Sequence, residues 1–251
     1  MPVEQLVRDL QNADVAERHG LQPVIEAVAG ADRIFLLNGY DVRMLAQSKA
    51  VIDAALAAGV SHIVHLGVHA AEDTTVVHFG WHQLIENYIE RSGLAYVHLH
   101  PTTFMQNLLA PGTAASGVLT HYIGDGRPSW IDTDDIADVA AVVLRDPDPH
   151  EGGVYGLGTE VASMSEIAAL LTEVTGRPWR DEPREPEDFY RTAVAAGADP
   201  AYMACVRNVF ERTRDGSITE TSETFDTVER LTGRPPTSLR AFVDKHRAAF
   251  T

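Results

Sequence analysis

Residues 33–67 read RIFLLNGYDVRMLAQSKAVIDAALAAGVSHIVHLG, and this stretch decides the fold. Arg33-Ile-Phe-Leu-Leu37 is a compact apolar run of the kind that forms a buried parallel strand. Asn38-Gly39 ends it. Asp41 is placed to N-cap a helix that runs to Ala58 and stops at Gly59, with Met44, Leu45, Ile52, Ala55 and Leu56 on one face. His62-Ile-Val-His-Leu66 is a second strand. Strand, helix and strand at this spacing make a βαβ unit with an expected right-handed crossover.

The pattern extends outward in both directions. Upstream, Leu21 to Ala29 has helical spacing and ends at Gly30, and Val3 to Leu6 reads as a short strand. Downstream, Thr74 to Arg91 contains a helix with Trp81, Leu84, Ile85, Tyr88 and Ile89 expected inward. Ala95 to Leu99 is the next strand, stopped by Pro101. Leu119 to Ile123 and Ser129 to Ile131, joined through Gly124-Asp-Gly126, read as a hairpin. Asp134 or Asp135 starts a helix to Leu144, and Val154 to Leu157 is a short strand. Ser163 with Glu166 makes a capping box for a helix to Thr175. Arg180 to Phe189 is charged and Pro-rich and reads as a surface connection. Helices follow at Phe189 to Ala196, Pro200 to Arg212, Thr224 to Leu231 and Ser238 to Ala249. The expected class is α/β: a reduced Rossmann-like parallel sheet with helices on both faces, plus a small, mainly helical C-terminal lobe. The expected division is a sheet domain over 1–118 and a substrate lobe over 119–251, some of whose elements return to the sheet. The cleft between the two is the expected site.

Bulk properties exclude several functions. A chain of 251 residues supports a real core, and 45% apolar with 22% charged residues is an ordinary globular composition. A net charge of −16 argues against nonspecific nucleic-acid or anionic-membrane partners, which need positive patches. Cys205 is the only cysteine, so neither an intrachain disulfide nor a thiolate metal cluster is expected. No basic-then-apolar leader and no membrane-length apolar run is visible, and a cytoplasmic location is the default.

Six segments, in order, carry a family resemblance. They are Val51-Ile-Asp-Ala-Ala-Leu-Ala-Ala-Gly-Val-Ser-His-Ile-Val64, Trp81-His-Gln-Leu-Ile-Glu86, Ser92-Gly-Leu94, Pro101-Thr-Thr-Phe-Met-Gln-Asn-Leu108, Asp132-Thr-Asp-Asp-Ile-Ala137 and Leu231-Thr-Gly-Arg-Pro-Pro236. Together they resemble the NmrA-like branch of the short-chain dehydrogenase/reductase superfamily. The resemblance implies a Rossmann-like NAD(P)-binding domain with a helical substrate domain, reducing quinones or other small carbonyl compounds, or sensing NADP without turnover. It also implies that Asn38, Gly39 and Tyr40 lie where family members contact the cofactor, and that Phe104 to Leu108 lines the substrate pocket with Asn107 facing inward.

One departure from that family drives the functional expectation. Its members carry a G-x-x-G-x-x-G loop after the first strand, whose backbone approaches a pyrophosphate at a helix N-terminus. Here the first thirty residues hold only Gly20 and Gly30, and neither sits in such a motif. The leading expectation is therefore an enzyme without a nicotinamide cofactor, performing acid/base isomerisation, cyclisation or elimination on a small apolar carbonyl-bearing substrate. The first alternative is an NAD(P)H-dependent oxidoreductase using NADP. The second is a non-catalytic ligand or redox sensor. The strand at Ile34 would also lack its usual neighbour, to be covered by Val3 to Leu6 or by a second copy in a homodimer.

Histidines supply the candidate chemistry. Ligands of open parallel sheets bind beyond the strand carboxyl ends, near His69, His78, His82 and His100. Gly67, Val68 and His69 stand where a short-chain dehydrogenase presents its serine, and no Tyr-x-x-x-Lys pair follows. His82, His78 and His69 are the candidate catalytic groups, since imidazole titrates near neutrality. The candidate substrate-binding residues are Asn38, Gly39, Tyr40, Gly67, Val68, Trp81, Phe104, Met105 and Asn107; Trp81, Tyr122 and Trp130 offer an apolar wall, but the resemblance favours a structural role for Trp130, which precedes Ile131-Asp132. His78 and His82 with Glu86 or Asp73 would be one metal set, but histidine pairs at helical spacing are common without metal, and none is assigned. His62 and His65, inside a strand, are read as structural.

Overall fold

The computed structural model describes residues 22–251 apart from 40, 111–113 and 116. The expected Val3 to Leu6 strand and Tyr40 lie outside the described residues. In chain order the first elements are α1 (Gln22–Val28), β1 (Arg33–Leu36), α2 (Met44–Ala58), β2 (His62–Leu66), α3 (Val77–Glu90), β3 (Ala95–Pro101) and β4 (Thr103–Phe104). Then come β5 (Ala114–Ala115), β6 (Val118–His121), β7 (Ser129–Ile131), α4 (Thr133–Arg145), β8 (Gly153–Leu157) and β9 (Glu160–Val161). The last are α5 (Met164–Thr175), β10 (Arg180–Pro183), α6 (Pro186–Ala195), α7 (Pro200–Asp215), α8 (Thr227–Thr232) and α9 (Leu239–Lys245). The chain groups into two compact units: Met1–Val68 with Val77–Leu99 and Ala140–Tyr155, and His69–Val76 with His100–Val139 and Gly156–Thr251.

The first unit is the expected α/β sheet. Its strand order is β1-β2-β3-β8. β1 and β2 run parallel with Ile34 opposite Ile63, and β2 and β3 run parallel with Val64 opposite Val97. Ile34, Ile52, Ile63, Ile89 and Val97 are buried, each contributing about 1.5–3 kcal/mol of transfer free energy. α2 ends as read, with Gly59 left-handed at φ 77°. Its start differs. The capping position is Arg43, and Asp41 instead accepts the Arg43 backbone N–H at 2.6 Å. Leu56, expected inward, is exposed, while Ser48 is fully buried.

α3 is rotated relative to the expected face. Ile85 and Ile89 are buried, but Leu84 and Tyr88 face solvent. The buried side carries His78 and Glu86 instead. Polar groups are tolerated there because the facing strands present imidazoles. Tyr88 is used on the surface: its hydroxyl donates to Asp53 Oδ1 at 2.6 Å, and Lys49 Nζ sits 5.0 Å from its ring centre.

The second unit holds two three-stranded sheets, β10-β6-β5 and β4-β7-β9. The expected hairpin is therefore not formed, since β6 and β7 belong to different sheets. β6 pairs with β10 and β5, and β7 pairs with β4 and β9. The stretch expected to be a bare connection supplies β10 and the start of α6. The capping box forms as read, with Glu166 N–H donating to Ser163 Oγ at 3.2 Å. Met105, Leu108, Trp130, Ile167, Leu171 and Phe242 share this unit's core. No helix among the described residues is long and apolar enough to cross a membrane.

Candidate functional site

The crevice rule for parallel sheets points to the carboxyl ends of β1 and β2. Asn38 stands two residues beyond β1. The Ser48 hydroxyl, buried on α2, donates to Asn38 Oδ1 at 2.6 Å and so fixes the amide. Asn38 Nδ2 is buried and has no hydrogen-bond partner among the described residues. A buried donor without an acceptor costs about 1–3 kcal/mol, so this amide is placed to donate to a further acceptor. Beside it, a Cβ built on Gly39 would meet nothing within 4 Å, so the backbone there is open to a ligand. Beyond β2, the Gly67 N–H donates to Leu99 O at 2.9 Å, and Val68 is half-buried.

The same unit brings four polar side chains, His65, His82, Glu86 and His98, together between helix and sheet. His78, His82 and Glu86 succeed one another at four-residue spacing on α3. His65 and His98 are register partners on β2 and β3. His82 Nδ1 lies 3.4 Å from His65 Nε2, and His65 Nδ1 lies 3.6 Å from Glu86 Oε1. The Tyr96 ring stacks on His98 at 4.8 Å. Burial, and then the nearby charge of His82, push the His78 pKa down to about 4. His78 is therefore neutral at pH 7 and is a poor source of a proton there. Trp81 is half-buried on the same helix.

In the second unit His69 has its own carboxylate. His69 Nε2 lies 3.0 Å from Glu223 Oε2, and the His69 ring meets Phe225 edge-on at 4.9 Å. The His69 backbone N–H donates to Pro101 O at 2.9 Å, fixing the position of the loop that carries it. Phe104 is half-buried, Met105 is fully buried in the core, and Asn107 is exposed. The neighbouring Gln106, not singled out in the sequence, makes the inward contacts. Its Nε2 donates to Asp132 Oδ1 at 2.6 Å, and its Oε1 accepts from the Thr133 N–H at 3.1 Å. Tyr122 packs against Phe189 and Phe210. Trp130 is core, in keeping with its structural reading, its indole N–H donating to Ala162 O.

Sequence reasoning therefore missed Ser48, Glu223 and the joining of His65 to His98. A signal existed for the last pair. Both are the fourth residue of an apolar strand, in His62-Ile-Val-His65 and Ala95-Tyr-Val-His98.

The model of the NmrA-like family matches residues 5–235. The chain belongs to the NmrA-like family. An NAD(P)H azoreductase of Xenophilus azovorans is 30% identical over 264 residues, covering 100% of this chain and 91% of the relative. A (4-alkanoyl-5-oxo-2,5-dihydrofuran-3-yl)methyl phosphate reductase of Streptomyces griseus is 34% identical over 229 residues, covering 89% of this chain and 79% of the relative. Among solved structures, the NADPH-dependent quinone oxidoreductase QOR2 of Escherichia coli, complexed with NADPH, superposes with a TM-score of 0.77 at 22% identity. That match covers 98% of this chain and 95% of the other.

These relatives overturn two expectations: the absence of a nicotinamide cofactor, and the isomerase, cyclase or lyase reading that followed from it. Both rested on a glycine count in the first thirty residues. Such glycines supply one donor set to a diphosphate, whereas a dinucleotide is also held along the carboxyl ends of successive strands. The described residues there fit a dinucleotide: Asn38 offers an unsatisfied N–H, and Gly39 leaves room.

Proposed function

We propose that this protein is an NAD(P)H-dependent oxidoreductase acting on a small conjugated acceptor of the quinone or azo class. The observation that carries the reading is the buried Asn38 Nδ2 at the carboxyl end of β1, without a partner among the described residues, in a chain aligned over its whole length with an NAD(P)H azoreductase. When bound, a reduced nicotinamide supplies a hydride. The chain's residues do the rest. Asn38 donates an N–H to an acceptor oxygen of the dinucleotide, and Ser48 keeps that amide from turning. Gly39, without a Cβ, admits the ligand against the backbone. Reduction of a quinone or azo group also consumes a proton. His69, the next residue after Val68, is the proposed donor. Glu223 holds the ring through Nε2, which leaves Nδ1 as the atom that delivers the proton. Phe104 and Asn107 are the proposed substrate contacts, Phe104 supplying an aromatic face and Asn107 an amide.

The test is direct. Purified protein is mixed with NADPH or NADH and either a naphthoquinone or a carboxylated azo dye, and nicotinamide absorbance is followed. We expect acceptor-dependent oxidation of at least one cofactor, with His69→Gln slower in kcat by about 10²–10⁴-fold. Neither binding nor oxidation of either cofactor up to about millimolar concentration, worth only roughly 4 kcal/mol, would reject the reading.

A further inference from the structure

We propose that His65, Glu86 and His98 form a binding site for a divalent transition-metal ion of the zinc class. The site does not depend on the reductase reading. Its geometry follows from register and helix packing. Residues opposite one another on adjacent parallel strands project to the same sheet face, and His65 is opposite His98. One donor comes from each strand, and Glu86 comes from the helix packed on them.

The distances suit one ion. A donor atom from each of His65, Glu86 and His98 lies within 4.8 Å of the other two. Glu86 Oε1 lies 3.6 Å from His65 Nδ1. Ligands of a tetrahedral zinc with bonds of about 2.0–2.1 Å stand roughly 3.4 Å apart, so small side-chain rotations bring the three donors onto one ion. The chemistry also fits. Imidazole nitrogens with one carboxylate suit zinc and its neighbours, not the all-oxygen shells of calcium or magnesium.

Burial strengthens the argument. His65 is 0% exposed, His98 1% and Glu86 9%. A buried carboxylate beside two imidazoles is a donor set that suits a dication. The three ligands would tie α3 to β2 and β3 through the ion.

The protein is freed of metal by chelator and titrated with Co²⁺ and then Zn²⁺ at about pH 7.5. We expect one Co²⁺ per chain, visible absorption of tetrahedral intensity, displacement by Zn²⁺, and a higher melting temperature with either ion. Glu86→Gln and His98→Gln should each weaken binding at least about tenfold, while His150→Gln binds as the parent does. If the two site variants do not fold, the parent alone decides: zinc must shift the ring-nitrogen resonances of His65 and His98 in its NMR spectrum. No uptake of either ion at about 100 µM overturns the proposal, as does unchanged binding in folded Glu86→Gln, or unmoved imidazole resonances.

Discussion

His78 makes the pH dependence of stability a quantitative test of how α3 is seated. Its pKa is pushed down to about 4 from an ordinary 6.5, first by burial and then by the charge of His82. The folded state thus binds its proton more weakly than the unfolded chain does. The stability of neutral, buried His78 is complete above the unfolded value, is lost as pH falls below about 6.5, and levels off below about 4. A difference of about 2.5 pKa units corresponds to roughly 3 kcal/mol when fully expressed, with about 2 kcal/mol already lost near pH 5. Carboxylates titrate over part of this range as well, so the measurement is a comparison. Urea unfolding of the parent and of His78→Gln is followed at steps from about pH 8 to pH 4. Glutamine has similar bulk and no titration, so its structural cost is independent of pH. We expect the parent to lose about 2–3 kcal/mol more than the variant over this range. Parallel stability curves for the two proteins would show that His78 is not buried between α3 and the sheet, and the described face of that helix would be wrong.

Other perturbations test separate parts of the molecule. Asn38→Ala removes one donor worth about 1 kcal/mol and should raise the KM for NADPH roughly fivefold with kcat little changed; an unaltered KM would remove Asn38 from the cofactor crevice. Asp135 is fully buried, accepts the Thr237 N–H at 2.7 Å and its hydroxyl at 3.1 Å, and lies 2.9 Å from Arg234. Asp135→Ala should cost about 3 kcal/mol in chemical denaturation, at the low end for a buried pair because Arg234 is 40% exposed; a loss below about 1 kcal/mol would show that this anchor of the C-terminal segment is dispensable. Ser163→Ala, which breaks the capping box at α5, should cost about 1 kcal/mol by the same assay, and no loss would mean that the cap is redundant.

The sequence by itself determined the succession β1, α2, β2, α3 and β3, because each step is written in a local period. Short apolar runs between turn residues make strands, and Gly59 supplies the left-handed stop of α2. It also determined the capping box at Ser163, whose two partners are three residues apart. The family was legible too, from six segments spread along the chain, as the match over residues 5–235 bears out. The glycine count misled on the cofactor, because it weighed one donor set and ignored the crevice at the strand ends. Tertiary structure decided what depends on partners far away in the chain. Leu84 and Tyr88 lie outside and Glu86 inside because the face of α3 is chosen by what β2 and β3 present, not by its own hydrophobic period. β6 and β7 separated because each found a better partner than the other, β10 for one and β4 and β9 for the other. His69 met Glu223 across 154 positions of sequence, and His65 met His98 through the register of two parallel strands. Register and helix rotation are set by the summed burial of all facing side chains, a quantity no local window of sequence contains.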